Sequence, residues 1–424
     1  MVEYPMLVGV DEARVKQVGG KAAVLEEILR RWPEAPVPSF RVYANGERPH
    51  FPPLGKTQIY RASSELDLFG GCGILNTVAD VISYSYVDEA IDKILNPDSY
   101  IESKIRLFAE SIGRESASPA IISQEQTKPN NWVIVFEHPN HEGAYLINYS
   151  TRPSAETISA VTMHKKTPVG FTFGATYKNG KVKIRDETGN VLPGQTQDER
   201  LVREAVKLYE KLKSLEIVSP KLTSIMEAGI SYDGTTYLYQ LTPIRQRVSN
   251  VKSLPKNSAI FGVCEPLTLP VVAIPSHYSV RVYMDGIKDA LEYFRDVGDF
   301  LDRMLEHYTV IGEDDAAKVL MSVLKPDELI WEYMRHVEER FPEGYIIVVP
   351  IVDKQQTFDI PMTNARAAVI HHPTDPAILL NHDISRLIAK LPIMVISGKE
   401  QDIFETGEMI RFQSDGSTYS LERV

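Results

Sequence analysis

Two runs of strand-forming residues meet at Asp233-Gly234, and this junction is the feature that most limits how the chain can fold. The runs, IMEAGI before the turn and TTYLYQLTPI after it, are joined by residues typical of a β-hairpin turn. A hairpin here puts Glu227 and Gln240 on neighbouring strands. If the strands pair, the two side chains offer oxygen ligands to a hard cation such as Mg²⁺. The alternative is a pair of solvated polar residues at a strand edge.

The periodicity of the chain predicts an α/β (α+β) protein of three parts, over residues 1–248, 249–341 and 342–424. The first part mixes helix and strand patterns. The second is largely helical, after a proline-dotted stretch at Leu254–Pro275 that is typical of a linker. The third alternates short apolar runs with helical or turn segments, as in a small α/β domain. Its runs are Tyr345–Val349, Ala367–Ile370 and Ile393–Ile396.

Several elements of the first part are predicted from pattern alone. Apolar residues at helical spacing indicate two helices, and continuous apolar runs indicate strands. A second hairpin turn is expected at Asn179-Gly180. The predicted helices cover Ala22–Trp32 and Arg200–Leu215, and the predicted strands cover Trp132–Glu137 and Tyr145–Tyr149.

Composition narrows the class of protein. The net charge of −11 argues against a nonspecific nucleic-acid partner, since phosphate backbones require a basic face. Two cysteines among 424 residues suit a reducing compartment and exclude a cysteine-rich metal site. The first residues, MVEYPMLVGVDE, do not have the pattern of a signal peptide, and no apolar run approaches the roughly 20 residues that span a bilayer. We therefore expect a cytoplasmic protein without a membrane partner.

A glycine pair before a helical pattern is the first candidate for phosphate binding. In VGGKAAVLEEIL, Gly19 and Gly20 expose backbone amides suited to an anion, and Lys21 stands beside them. The segment is not a Walker A motif, because Val15 and Ala22 replace its first glycine and its hydroxyl residue. A plain helix start with a solvated lysine is the alternative interpretation.

Arg61 is the second candidate. It lies in YRASSELD, where its guanidinium could fork onto a phosphate, or where it could be an ordinary arginine at a strand end. Gly70, Gly71 and Gly73 follow in FGGCGILNTVADV and could close over phosphates, although glycines are also common in simple turns.

Taken in order, these segments resemble the ATP-grasp nucleotide-binding domain of the pyruvate phosphate dikinase and phosphoenolpyruvate synthase family. The family's GGKxANL, RSSA, FAGxxxTxxxV and IEW…LYxLQxRP patterns are similar to segments starting at Gly19, Arg61, Phe69 and Met226. The resemblance runs discontinuously to about Arg247. It implies that the chain binds ATP and Mg²⁺. The implied nucleotide ligands are Lys21, Arg61, Gly71, Gly73, Thr77, Glu227 and Gln240, with Glu227 and Gln240 also holding the metal.

The C-terminal part carries a second resemblance. The segment LLNHDISRLIAKLPIMV is similar to the TSHAAIVARELGIPAVVG motif of the family's swivelling domain, whose histidine is phosphorylated by ATP. The matching residue is His382, at the start of a helical pattern. Neutral imidazole is a nucleophile near pH 7, and a helix N-terminus favours the charge that phosphorylation adds. The other nine histidines, His371 and His372 among them, are interpreted as structural.

The chain also departs from the family pattern. Ile225 stands where the family has an acid, and Thr242 stands where it has an arginine. Asn381 and Asp383 replace small residues beside the histidine. The family's GLGE-type segment is not recognisable around Val161–Thr176, and the large barrel that binds pyruvate is missing.

The resulting hypothesis is an ATP-dependent phosphotransferase of the dikinase type, a divergent relative that passes phosphate through His382 to an unidentified acceptor. Residues 249–341 would then form either an acceptor domain or a helical hinge. Two other classes remain open. One is a degenerate, noncatalytic nucleotide-binding or regulatory protein, which Ile225 and Thr242 favour. The other is a structural or interaction protein that keeps the fold without the ligand.

Overall fold

A computed structural model describes most of the chain. The described residues are 7–44, 57–69, 77–81, 84–97, 119–137, 143–150, 172–185, 196–219, 222–244, 259–261, 264–273, 337–350, 364–371, 393–396, 406–414 and 419–424, with 47, 49, 102, 105, 106, 109, 114 and 115. The chain forms two compact units, of which the first takes in Met1–Arg247 and the second Val248–Pro376 with Lys390–Val424. Both units are mixtures of helix and sheet with more strands than helices.

The first unit contains two antiparallel sheets. The smaller sheet has the strand order β1-β4-β2-β3, and the larger has the order β10-β9-β5-β6-β7-β8. The strands of the smaller sheet are β1 (Phe40–Tyr43), β2 (Gln58–Ser63), β3 (Thr77–Val81) and β4 (Ala120–Glu125). Those of the larger sheet are β5 (Asn131–Glu137), β6 (Ala144–Ser150), β7 (Thr172–Lys178), β8 (Lys181–Arg185), β9 (Thr223–Ile230) and β10 (Thr236–Ile244). Both predicted hairpins and both predicted strands are confirmed.

Within the described residues of this unit, three α-helices with complete bounds and one short 3₁₀ helix accompany these sheets. They are α1 (Glu12–Arg31), α2 (Tyr84–Leu95), α3 (Thr196–Lys213) and the 3₁₀ helix Glu65–Phe69. The helix predicted over Arg200–Leu215 is α3, which begins four residues earlier.

Helix α3 covers one face of the six-stranded sheet. Its apolar stripe is buried in the same core as the sheet residues Val133, Val135 and Ala228. Because side chains alternate along a strand, Ile134 and Glu227, which adjoin Val133 and Ala228 in the sequence, face away from that core. The stripe of α3 consists of Leu201, Val202, Ala205, Val206, Tyr209 and Leu212. Glu227 of β9 and its cross-strand partner Gln240 of β10 therefore lie on the opposite face.

Helix α1 is longer than the sequence predicts and is kinked at a glycine. It starts after Asp11, whose Oδ1 accepts the Ala13 N–H at 2.9 Å, and the predicted Ala22–Trp32 helix is its second half. At the kink Gly19 has φ 78°, and a Cβ there would lie 2.3 Å from the carbonyl carbon of Ser63. The kink brings the backbone against β2, so only glycine fits this position.

The second half of α1 is tied to the rest of the unit at its C-terminal end. Buried Glu27 accepts hydrogen bonds from Arg30 at 2.6 Å and from Arg31 at 2.5 Å. These bonds hold the pKa of the Glu27 carboxyl below its ordinary value, the bond from Arg30 contributing most. Arg31 also donates to the carbonyls of Leu215 and Val8. One carboxylate thus orients the arginine that joins α1 to the residues after α3.

The second unit is built on one seven-stranded sheet of order β11-β15-β14-β13-β12-β16-β17, with neighbouring strands parallel from β12 to β15 and antiparallel elsewhere. The three apolar runs predicted as strands are confirmed as β13, β14 and β15. The strands are β11 (Ala259–Phe261), β12 (Cys264–Ala273), β13 (Tyr345–Pro350), β14 (Ala365–His371), β15 (Ile393–Ile396), β16 (Met409–Ser414) and β17 (Tyr419–Arg423).

The linker expected over Leu254–Pro275 is wrong, because that stretch supplies β11 and β12 to this sheet. Val271–Ala273 pairs with β13 and is buried, which the apolar ending of the stretch explains. The prolines of β12, Pro266 and Pro270, lie in the part of that strand that pairs with β16 alone, so the missing N–H groups do not interrupt a two-sided ladder.

Other predictions about the second and third parts fall on undescribed residues. Of the part predicted to be helical after Pro275, only residues 337–341 are described, and residues 337–340 are helical. Among the residues that the structure describes, no helix is both long and apolar enough to cross a membrane.

The fit at Gly19 yields a stability prediction. Gly19→Ala should lower the free energy of unfolding by about 2–5 kcal/mol, because a left-handed backbone strain adds to a clash with Ser63. Gly180→Ala is the matched control, with φ 76° but nothing within 4 Å of the added Cβ. It should cost only about 1–2 kcal/mol. Urea denaturation of both variants tests this, and equal losses would contradict the proposed contact.

Candidate functional site

The backbone amides at the kink of α1 are engaged by β2. The Gly20 N–H donates to the Ser64 carbonyl at 2.8 Å, and the Ala22 N–H donates to Ser63 Oγ at 3.1 Å. The sequence suggested that the Gly19 and Gly20 amides would face an anion. In the structure the Gly20 and Ala22 amides hold the end of β2 against the helix, next to the close approach at Gly19.

Lys21 lies in a buried ion pair. Its side chain is 7% exposed, and Nζ lies 2.8 Å from Asp67 Oδ1 and 3.3 Å from the Ala62 carbonyl. The other carboxylate oxygen of Asp67 accepts the Ser64 N–H at 2.9 Å. Lys21 was expected beside nucleotide phosphates, but here its charge is already balanced and desolvated. It therefore organises the RASSELD segment.

Arg61 connects the two sheets of the first unit. It extends from β2 in the four-stranded sheet to β10 in the six-stranded sheet. There it donates to the Tyr239 carbonyl at 3.0 Å and to Gln240 Oε1 at 2.7 Å. The guanidinium is partly buried, so solvent screens these bonds less than at an open surface. Its position is thus set by main-chain and side-chain acceptors from a distant strand.

Glu227 and Gln240 lie on the neighbouring strands that the hairpin predicted, and they are directly opposite each other. Both side chains are at most 3% exposed. The next pair on this face is Ile225 opposite Thr242, also buried. On the other side of β9, Ile134 of β5 faces Glu227. A short polar stripe therefore crosses β9 and β10 on the face opposite α3, bordered by apolar residues.

A β-bulge brings Gln240 to this stripe. Leu238 pairs with Ala228, and Gln240 pairs with Glu227, so Tyr239 is the extra residue between them. Strict alternation from Leu238, which is in the α3 core, would have turned Gln240 toward that core. The inserted residue shifts the phase, and bulges often reorient side chains next to functional sites.

Tyr239 was missed by the sequence analysis. Its hydroxyl lies 2.6 Å from Thr127 Oγ1, and its ring stacks on Trp132 with 4.6 Å between centroids. Burial raises the pKa of the Tyr239 phenol, so the group stays neutral over the physiological range. A Cβ on Gly229 would lie 2.5 Å from the hydroxyl, which shows how closely the ring is seated. Tyr239 fixes the bulge whose carbonyl Arg61 uses.

The donor set fits Mg²⁺ only in part. Within the described ranges, no group of three or more His, Cys, Asp and Glu side chains could hold a metal ion. Ile225 occupies the position of an expected acid, and Gln240 Oε1 already accepts from Arg61. Glu227 can supply one carboxylate, and Mg²⁺ is often held by one or two carboxylates together with substrate phosphates. Any Mg²⁺ here would thus depend on the nucleotide for most of its ligands.

The remaining predicted ligands divide into two groups. Thr77 is exposed on β3 and pairs in register with Arg61 on β2, so the structure brings these two residues together. Gly71, Gly73 and His382 lie outside the described residues.

Comparisons with known proteins give no family assignment. No protein-family model matches the chain, and no curated protein sequence matches it. Partial similarity to solved structures includes an L-amino acid ligase from Bacillus licheniformis (TM-score 0.30, 12% identity, 56% of this chain and 41% of that one). It also includes a D-alanine–D-alanine ligase from Bacillus anthracis complexed with ATP (0.28, 12%, 52% and 53%). A third is a carboxyaminoimidazole ribonucleotide synthase from Asperigillus clavatus complexed with ATP (0.30, 10%, 65% and 63%).

The matched region spans 41% to 63% of the length of these chains. At such TM-scores the similarity does not decide either fold or function.

The Lys21–Asp67 pair yields a second stability prediction. Asp67→Asn should lower the free energy of unfolding by about 3–5 kcal/mol, because it leaves a buried ammonium without its counter-charge. Adding Lys21→Met should recover much of that loss, since the amide oxygen introduced at position 67 would still accept the Ser64 N–H. Thermal unfolding of the single and double variants measures the difference.

The control for this prediction is the exposed pair Glu89–Lys93, whose side chains are each 55% exposed. Glu89→Gln should change stability little, because exposed ion pairs contribute weakly. A double variant no more stable than Asp67→Asn alone would show that the ammonium is not the source of the loss.

Proposed function

We propose that the first unit is an ATP-grasp domain that binds ATP and Mg²⁺ on the face of the six-stranded sheet opposite α3. The observation that carries this proposal is Arg61, a partly buried guanidinium held by β10 beside the buried Glu227–Gln240 pair. A cation and a carboxylate on adjoining elements are the groups that a metal–triphosphate complex requires. The resemblance of the surrounding segments to the dikinase family supports the choice of ATP.

The chemistry of Arg61 suits a phosphate. A guanidinium has five N–H donors, and the bonds to Tyr239 and Gln240 use two of them. The remaining donors can form charge-assisted bonds to phosphate oxygens in a planar fork. Thr77 is exposed and is the register partner of Arg61 on the neighbouring strand β3, so it adds a hydroxyl beside Arg61. The glycine segment of Gly71 and Gly73 lies between these strands in the sequence and would close over the phosphates.

Glu227 is the proposed ligand that fixes Mg²⁺ with the nucleotide. When bound, the metal would neutralise phosphate charge. We assign Lys21 an indirect role, since its pairing with Asp67 keeps the RASSELD segment, and hence the end of β2, in position.

His382 is the proposed phosphate carrier. In the transfer step a lone pair of the imidazole forms a nitrogen–phosphorus bond while the phosphorus–oxygen bond to the departing nucleotide breaks. The phosphoryl group then passes to an acceptor. Arg61 would stabilise charge on the phosphates during this step, as positioning and charge neutralisation dominate phosphoryl transfer. This role of His382 rests on the resemblance of LLNHDISRLIAKLPIMV to the family motif.

A noncatalytic nucleotide-binding protein is the second candidate, and three observations favour it. Ile225 and Thr242 remove an acid and a cation from the site, and Lys21 is engaged with Asp67. Such a protein would bind ATP without forming phosphohistidine. A structural protein that has lost the ligand would not bind ATP at all, so the two experiments below separate the three classes.

The first experiment is nucleotide binding by calorimetry in the presence of Mg²⁺. Arg61→Ala should weaken ATP binding by about 1.5–3 kcal/mol, the range for hydrogen bonds to charged groups. Arg61→Lys should weaken it too, because an ammonium cannot form a bidentate fork. Arg41→Ala, an exposed arginine of β1 in the same sheet, is the matched control and should bind normally. Absence of ATP binding by the unaltered protein would refute the proposed site.

The second experiment tests the carrier. Incubation with ATP labelled on its phosphates should give protein-bound label that is labile in acid and stable in alkali, as expected for a phosphoramidate. The label should disappear in His382→Ala and persist in His371→Ala and His372→Ala. A protein that binds ATP yet gains no such label would be the noncatalytic alternative.

A further inference from the structure

We infer that Gln240 and Thr242 are positioning residues that hold the Arg61 guanidinium toward the nucleotide phosphates, and that Gln240 is not a metal ligand. This inference rests on the proposed function and assigns residues of the same site a role that the family resemblance does not give them. It follows from the direction of three hydrogen bonds and from the bulge in β10.

The side-chain amide of Gln240 has a defined direction, set by two hydrogen bonds. Its Oε1 accepts from Arg61 at 2.7 Å, so Nε2 must face the other way. There Nε2 donates to Thr242 Oγ1 at 2.6 Å. Turning the amide over would direct its two N–H donors at the guanidinium, which also has only donors. The contact with Arg61 therefore fixes which end of the amide points where.

Both Gln240 and Thr242 are buried. Gln240 is 1% exposed and Thr242 is 5% exposed, so water does not readily replace either hydrogen bond. A buried polar group that loses its partner is strongly disfavoured, which makes the orientation of the amide robust. The Thr242 hydroxyl serves as the acceptor that this orientation requires.

The bulge in β10 provides a second acceptor for Arg61. Because Tyr239 is the extra residue on β10, it has no register partner on β9, and its carbonyl accepts from Arg61 at 3.0 Å. The guanidinium thus receives two acceptors from consecutive residues of one strand. Anchoring at two points removes much of the rotamer freedom of a long side chain before a ligand arrives.

Thr242 can accept a hydrogen bond from the Gln240 amide, which an arginine at this position could not do. The family pattern has an arginine there, whose guanidinium can only donate and could not accept from Nε2. With Thr242 the amide keeps its oxygen for Arg61. A metal bound to Oε1 would share that oxygen with the Arg61 guanidinium, and the two cations would repel each other. Gln240 consequently serves the arginine.

A double-mutant cycle on ATP affinity tests the inference in the full-length chain. Thr242→Val removes the acceptor with little change in volume and should weaken ATP binding about three- to tenfold. In an Arg61→Ala background the same change should have no further effect, because Thr242 acts through Arg61. Thr242→Ser keeps the hydroxyl and should restore most of the affinity that Thr242→Val loses.

Gln240→Ala in the Arg61→Ala background separates positioning from metal binding. A positioning role predicts no change in the Mg²⁺ concentration that half-saturates ATP binding. A metal-ligand role predicts that more Mg²⁺ is needed, and that result would overturn the inference. Thermal unfolding shows whether Thr242→Val folds. If it does not, Gln240→Ala takes its place in the test.

The outcomes distinguish this inference from the proposed function. If Arg61→Ala leaves ATP affinity unchanged, the proposed site is wrong, and the inference is lost with it. If Arg61→Ala weakens binding but Thr242→Val has the same effect in both backgrounds, the site stands and the positioning role is wrong. A purely structural Thr242 would give this second result.

Discussion

The first unit depends on how β2 is joined to the elements around it. Arg61 connects β2 to β10 through the Tyr239 carbonyl and Gln240, while the end of the same strand is held to the kink of α1 by the bonds at Gly20 and Ala22. One strand therefore carries the contacts that relate the four-stranded sheet to both the helix and the six-stranded sheet. Arginine suits this junction because a planar fork can satisfy two acceptors at once and still present donors to a ligand.

The two cations of the candidate site have different surroundings, and this difference assigns their roles. Lys21 is almost fully buried and faces a carboxylate, so removing its charge from water is compensated inside the protein. Arg61 is only partly buried, and the groups that accept its hydrogen bonds within the described residues, a carbonyl and an amide, carry no charge. An anionic ligand gains more from a fixed cation with neutral partners than from one already paired. Arg61 is therefore the better candidate for binding phosphate.

The sequence was sufficient for features set by local chemistry. The turn at Asp233-Gly234 and the apolar stripe of α3 predicted their elements, and the hairpin correctly put Glu227 and Gln240 on neighbouring strands. The bulge at Tyr239 could not be predicted, because it depends on the stacking of Trp132 and on the close fit against Gly229. The engagement of Lys21 could not be predicted either, since Asp67 is distant in sequence. The stretch Leu254–Pro275 was misassigned because its prolines outweighed its apolar ending, although β12 accommodates them on its one-sided ladder.

The two departures from the family pattern on this face fall on one cross-strand pair of residues. Ile225 and Thr242 are directly opposite each other on β9 and β10, so the acid and the arginine of the pattern that the chain resembles would form a cross-strand pair of opposite charge at these positions. Loss of the acid alone would leave a buried arginine uncompensated, and loss of the arginine alone would leave a buried carboxylate. Ile225 and Thr242 leave no unpaired charge at these two positions, and as β-branched residues they suit the strands. The double change is thus a consistent alternative to the family's pair, and it leaves Glu227 and Arg61 as the charged groups on which the proposed nucleotide site depends.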